Sequence, residues 1–262
     1  MRHIRAFIHN LAQKLANATR EKRVQTAKPK EKSVTEVEFE ALYELVSAEI
    51  DQAVAVASVY KALSDAIPVD DLRALLDRDG RFWRTQLHCL QTTLFITIAR
   101  VFDTGEDAHS IHAVMRNAMA NLDFFSPEAL MIRRMRMQHG VKPPWLDDFI
   151  ARSWRPEKRA FGEIRTALAK KTNMFRDIYQ PIRTQIFAHR LVDSKAEWEL
   201  FQRTHTGHIE EMLTLLRDTM DAIREAFLNG TEPKLGTRSY GAYNQSFRDS
   251  TMNVLGTLAK AG

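Results

Sequence analysis

Cys89 is the sole cysteine in 262 residues, which excludes an internal disulfide and any cysteine-based zinc cage. Glycine and proline are also scarce, with 10 and 8 copies, so few turns are signalled and long helices are favoured over many short strands. No apolar run approaches the roughly 20 residues needed to span a bilayer. No secretory signal is visible, and the cytoplasm is the expected compartment. Sustained period-2 alternation is absent too, which points away from β-sheet. Several common sites are missing: there is no phosphate-binding Gly-rich loop, no Gly-x-Ser-x-Gly elbow and no His-Glu-x-x-His.

What remains is a composition of 44% hydrophobic and 27% charged residues, that of a soluble globular protein. The net charge of +5 is unevenly placed. Residues 1–32 carry nine Lys/Arg against two Glu, a net of +7, and the other 230 residues sum to −2. The basic pI therefore belongs to the N-terminal extension and is no evidence that the folded part binds nucleic acid.

Three regions follow. Residues 1–32 hold an amphipathic pattern (Ile4, Phe7, Ile8, Leu11, Leu15) among basic residues, then a charged connector. The pattern suits either a frayed terminal helix on a linker or a helix touching a membrane surface or a partner, and a mitochondrial presequence is similarly basic. Residues 33–230 carry the strong helical patterns. Ser33-Val-Thr-Glu36 reads as a capping box, opening a helix that Pro68 ends. Residues 79–103 follow, with no Asp, Glu, Lys or Arg between Arg84 and Arg100, and read as the most buried helix. Arg100 and Asp103 can pair at its end. Helices are also expected over 108–121 and 127–138, and the cluster Arg133, Arg134, Arg136 reads as a solvated face. Pro156 suits a first helical position, and heptad spacing from Phe161 to Ile178 extends that helix to about 179. A last clear helix covers 208–228, stopped by Asn229-Gly230. Residues 231–262 read as a loop and a short helix after about Asn244. The fold class is all-α, a bundle of long antiparallel helices.

Metal ligation has weak support. His109/His112 and His205/His208 are spaced i, i+3, the latter with Glu211 beyond, but such pairs on polar helix starts are usually solvated. Glu106-x-x-His109 is half of a di-iron motif with no second copy. No metal and no cofactor are expected.

An Arg followed after four to six residues by His occurs six times, at Arg2/His9, Arg81/His88, Arg133/His139, Arg134/His139, Arg183/His189 and Arg203/His208. Spacing alone does not choose among them. Arg183/His189 stands apart because Ile182, Ile186, Phe187 and Ala188 frame it, directly after a core helix that bends at Pro181. Residue physics leaves two readings open. Arg183 could pair with Asp177 or Asp193 while His189 is a hydrogen-bonded core histidine, or the two could form a reactive site.

Tyr179-x-Pro-Ile-Arg183-x-x-Ile-Phe-Ala-His189-Arg190 resembles the signature of the HEPN superfamily, in which Arg, four to six residues and His close a helical bundle. Trp83…Leu94-Phe-Ile-Thr-Ile-Ala-Arg100-Val-Phe-Asp103 resembles its AbiU-like branch, named for phage abortive infection. The resemblance covers about residues 35–228. Thr184 stands where many HEPN motifs have Asn or Asp after the Arg. The resemblance implies a metal-independent endoribonuclease of toxin or defence type, with Arg183 and His189 catalytic and Thr184, Arg190, Arg100 and Asp103 supporting. It also implies RNA as the substrate and a homodimer, because positions six apart on one helix point about 120° from each other. The alternative is a non-catalytic helical module that binds a nucleotide or a protein partner such as an antitoxin or a nucleotidyltransferase.

Overall fold

A computed structural model describes residues 34–157, 159–188, 194–236 and 241–261. The basic extension of residues 1–32 lies outside them. Among the described residues every regular element is helical, so the fold is all-α. None of these helices is long and apolar enough to cross a membrane.

The first helix, α1 (Glu36–Ala66), runs 31 residues, about 46 Å. Its capping box falls two residues later than expected. Thr35 Oγ1 accepts from the Glu38 amide at 3.2 Å, and Glu38 Oε2 accepts from the Thr35 amide at 2.9 Å. Phe39, Tyr43, Val46, Ile50, Ala53, Val54, Ala62 and Leu63 form its buried stripe. After Pro68 comes a helix that the patterns above did not resolve, α2 (Asp70–Arg78), with Asp70 and Asp71 complementing the dipole of its first turn.

In α3 (Gly80–Val101), burial is confined to the C-terminal half, at Leu94, Phe95, Thr97, Ile98 and Val101. This corrects the expectation that it is the most buried helix. Its N-terminal half packs on a small satellite core of Leu63, Ala66, Leu72, Leu75 and Leu255, and Phe82 remains 55% exposed. A stretch free of charge is not thereby a buried one.

Next come α4 (Ile111–Ala120), α5 (Pro127–Met137, opened by a Ser126 cap and Pro127) and α6 (Leu146–Ala151). The Arg133 side chain on α5 is 5% exposed, against the expectation of a solvated face. Its Nη2 donates to Phe227 O at 2.7 Å, its guanidinium lies 3.8 Å from the Phe227 ring centroid, and Nη1 stands 3.1 Å from Glu36 Oε2. Arg134 Nη2 donates to Leu228 O at 2.7 Å. Two arginines thus cap the C-terminal carbonyls of the facing helix, where positive charge is favoured.

Residues 155–157 and 159–161 are not helical, and α7 starts at Gly162 rather than at Pro156, running to Met174. Beyond the 175–188 segment lie α8 (Ser194–Gln202), α9 (Thr206–Asn229) and α10 (Gly241–Ala261). The helix stop at Asn229-Gly230 is as expected. Gly230 has φ +62°, and a Cβ there would stand 2.6 Å from Leu130 Cδ2, so both backbone and space demand glycine. The expected short C-terminal helix is 21 residues long and closes the satellite core through Leu255. The main core joins α1, the end of α3, α4, α7 and α9 around the aromatic cluster Phe39, Phe125, Phe161 and Phe227.

Candidate functional site: an arginine cleft beside a π-helical segment

Pro181 shapes residues 175–188. Without an amide hydrogen, it leaves the carbonyl of Asp177, four residues back, with no α-helical donor. Arg203 Nη2 fills the vacancy, donating to Asp177 O at 2.7 Å. On either side of the α-turn Gln180–Ile182 the helix widens into π turns, Phe175–Tyr179 and Arg183–Ala188. Such turns often mark functional sites.

The inner face of the segment is Phe175, Tyr179 and Ile182, all buried. The widened turn places Tyr179 in the core and leaves Ile178 half-buried. Phe175 stacks on Phe102, just past the end of α3, at 5.5 Å, and Tyr179 packs on Phe95 of α3 at 5.8 Å. The Tyr179 hydroxyl donates to His205 O at 3.0 Å, tying the segment to the start of α9. Burial and the loss of that phenol's hydration raise its pKa.

The outer row of the same segment is Arg176, Gln180 and Arg183. With Arg100, Asp103 and Thr172 it lines a cleft of about 230 Å³. Three arginines therefore line one space with one lining carboxylate. Arg100 does not pair with Asp103. It reaches Glu49 on α1, Nη2 to Oε2 at 2.7 Å and Nε to Oε2 at 3.2 Å. Asp103 Oδ1 instead accepts the Gly105 amide at 2.8 Å. Arg176 Nε pairs with Asp177 Oδ1 at 3.1 Å. Arg183 is exposed, and its guanidinium forms no ion pair or hydrogen bond with any described residue. Asp177, one of the two acids that could have neutralised it, is engaged by Arg176. The other, Asp193, lies outside the described residues. A guanidinium with all five donors unengaged, at the wall of a cationic cleft, suits a phosphate.

Behind the cleft stands His112. Its Nε2 lies 2.9 Å from Thr172 Oγ1, and that hydroxyl donates its own proton to Leu168 O at 2.8 Å. The threonine oxygen therefore accepts from His112, which fixes Nε2 as the protonated nitrogen. Burial, then Arg116, lowers the imidazole pKa, with Asp103 opposing.

Of the residues named from sequence, Arg183, Arg100 and Asp103 share this cleft. Thr184 sits half-buried in the same π turn, away from the cleft lining. His189 and Arg190 lie outside the described residues. Arg176 and Gln180 went unrecognised, although positions 176, 180 and 183 form a polar i, i+4, i+7 row. His112 had no local signal, because Thr172 is 60 residues away in sequence. As for metals, His205 Nδ1 accepts the Gly207 amide at 3.1 Å as the cap of α9, and Glu211 pairs with Lys171. Among the described residues no group of three or more His, Cys, Asp or Glu is placed to hold a metal ion.

A family model described as AbiU2, of the HEPN type, matches residues 36–254. No curated protein and no solved structure matches the chain. The match spans α1 to α10 and most of the chain, and the protein belongs to the HEPN AbiU2 family.

Proposed function

We propose that this HEPN protein is a metal-independent endoribonuclease of toxin or phage-defence type, and that Arg183 binds the scissile phosphate. The observation that carries the reading is the unengaged guanidinium of Arg183 in a cleft shared with Arg100 and Arg176. Family membership and the Arg183/His189 spacing support it.

The chemistry follows from the groups available. RNA supplies its own nucleophile, the 2′-hydroxyl. Attack on the adjacent phosphorus breaks the P–O5′ bond and yields a 2′,3′-cyclic phosphate and a 5′-hydroxyl. One proton leaves the 2′-oxygen and one arrives at the 5′-oxygen. The His189 imidazole, near neutrality in its ordinary pKa, suits either transfer. Arg183 stabilises the added negative charge of the pentacoordinate phosphorus in a fork geometry. Arg100 and Arg176, each already held by a carboxylate, are pre-set to take flanking phosphates rather than the reacting one. In this reading two copies meet across a two-fold axis near residues 183–190, so that each cleft receives two Arg and two His.

The test is incubation of the purified protein with mixed RNAs and with DNA of the same sequence, both in EDTA. Cleavage of RNA alone, leaving cyclic phosphate ends, is the expected result. Intact RNA, or equal cleavage of DNA, removes the reading.

A further inference from the structure

A second concavity, of about 410 Å³, lies on the other side of the π-helical segment, between α1, α3, α9 and α10. That volume falls within the roughly 300–1,000 Å³ of small-molecule sites, which favour the space between helices of a bundle. Its floor is apolar and drawn from the buried core: Val54, Leu94, Phe95, Tyr179 and Leu213. Its rim is cationic. Lys61, Arg217 and Arg248 line it against the single carboxylate of Glu210. Asp51 and Asp65, which pair with Arg217 and Arg248, stand outside the lining. Lys61 is the cation least engaged. Its ammonium stands 3.8 Å from Asp65 and 3.7 Å from Glu210, beyond hydrogen-bond range of either.

From these features we infer that the cavity is a binding site for a small amphipathic organic anion. An aromatic or aliphatic body would lie on the Phe95–Leu213 floor, with one carboxylate, sulfonate or phosphate at Lys61. An uncharged body would gain the floor but no hydrogen bond from the Lys61 ammonium, and a cationic one would meet three like charges. The site does not depend on the ribonuclease reading, since its residues do not overlap those of the arginine cleft.

Anilinonaphthalene sulfonate and its uncharged parent, N-phenylnaphthylamine, separate the two contributions. Fluorescence titration of the full chain should show saturable binding of one sulfonate probe per chain, with the uncharged parent binding about tenfold more weakly, as loss of one charge-assisted hydrogen bond gives. Lys61→Gln should bring the two probes to similar affinity. Thr214→Trp, at an exposed position on the cavity wall, should block both while leaving the near-UV circular dichroism otherwise native. Absence of saturable binding to the wild type, unchanged binding in Thr214→Trp, or equal affinity of the two probes for the wild type would each overturn the inference.

Discussion

Arg203 donates its Nη2 proton to the carbonyl oxygen of Asp177 at 2.7 Å, in the place where Pro181 has no amide to offer. A side chain 26 residues away thus closes the hydrogen-bonding gap that a proline opens in the helix carrying Arg183. Removing the guanidinium leaves Asp177 O to water and the turn less fixed. Arg203→Ala should lower stability by about 1 kcal/mol and speed amide exchange over residues 179–188. Pro181→Ala supplies the missing amide, so the double variant should lose less than Arg203→Ala alone. Additive effects in that double-mutant cycle would show that the two residues do not share one acceptor.

The buried Arg133 makes a larger prediction. Arg133→Ala removes a 5% exposed guanidinium that serves Phe227 O, the Phe227 ring and Glu36 together. The loss should be about 2–4 kcal/mol, read as a lower urea midpoint at constant m-value. Arg133→Lys should recover only part, because an ammonium lacks the planar fork that spans these partners. Arg136→Ala, at an exposed position on the same helix, should change little. Equal effects at 133 and 136 would return the cluster to a solvated face.

The His112 pKa lies below its ordinary 6.5. The unfolded chain then binds the proton more tightly than the folded one, so protonation favours unfolding. The stability held by neutral His112 is fully present above pH 6.5 and is lost as pH falls from 6.5 through the lower folded value. His112→Gln keeps a donor for Thr172 Oγ1 and should flatten that part of the stability–pH curve. Identical curves for the two proteins below pH 6.5 would remove the lowered pKa from the account.

Much of the fold was legible because single stripes carry it. The apolar stripe of α1 runs from Phe39 to Leu63 and the seam of α9 from Ile209 to Phe227, and both helices stand where expected. The failures have distinct causes. The charge-free run between Arg84 and Arg100 is buried only from Leu94 onward, because its earlier part faces the small satellite core. Pro156 suited a helix start, but 155–157 carry no regular structure and 159–161 are turns. Arg133 looked like surface because its acceptor, Phe227 O, is 94 residues away in sequence. In the cleft, Arg183 and Arg100 came from motif patterns and Arg176 and Gln180 follow from helical period. The widened turns that set their direction receive a hydrogen bond from Arg203, which no local pattern around Pro181 reveals.

Assembly is a separate expectation. The protein should be a homodimer at micromolar concentration by light scattering, with residues 183–190 protected from hydrogen exchange relative to a diluted sample. A monomer at all concentrations tested would leave the cleft with one Arg183 and require a one-chain mechanism.

In the proposed ribonuclease, Arg183 acts on phosphate and not on the fold. The most direct measurement of this is the single-turnover rate of RNA cleavage, in EDTA, by wild type and Arg183→Ala side by side with their thermal melts. A rate loss of about 10²-fold or more is expected, as for removal of one transition-state donor, with stability unchanged within about 0.5 kcal/mol because the guanidinium has no described partner. An Arg183→Ala protein that cleaves as fast as wild type, or that loses activity only by unfolding, would contradict it.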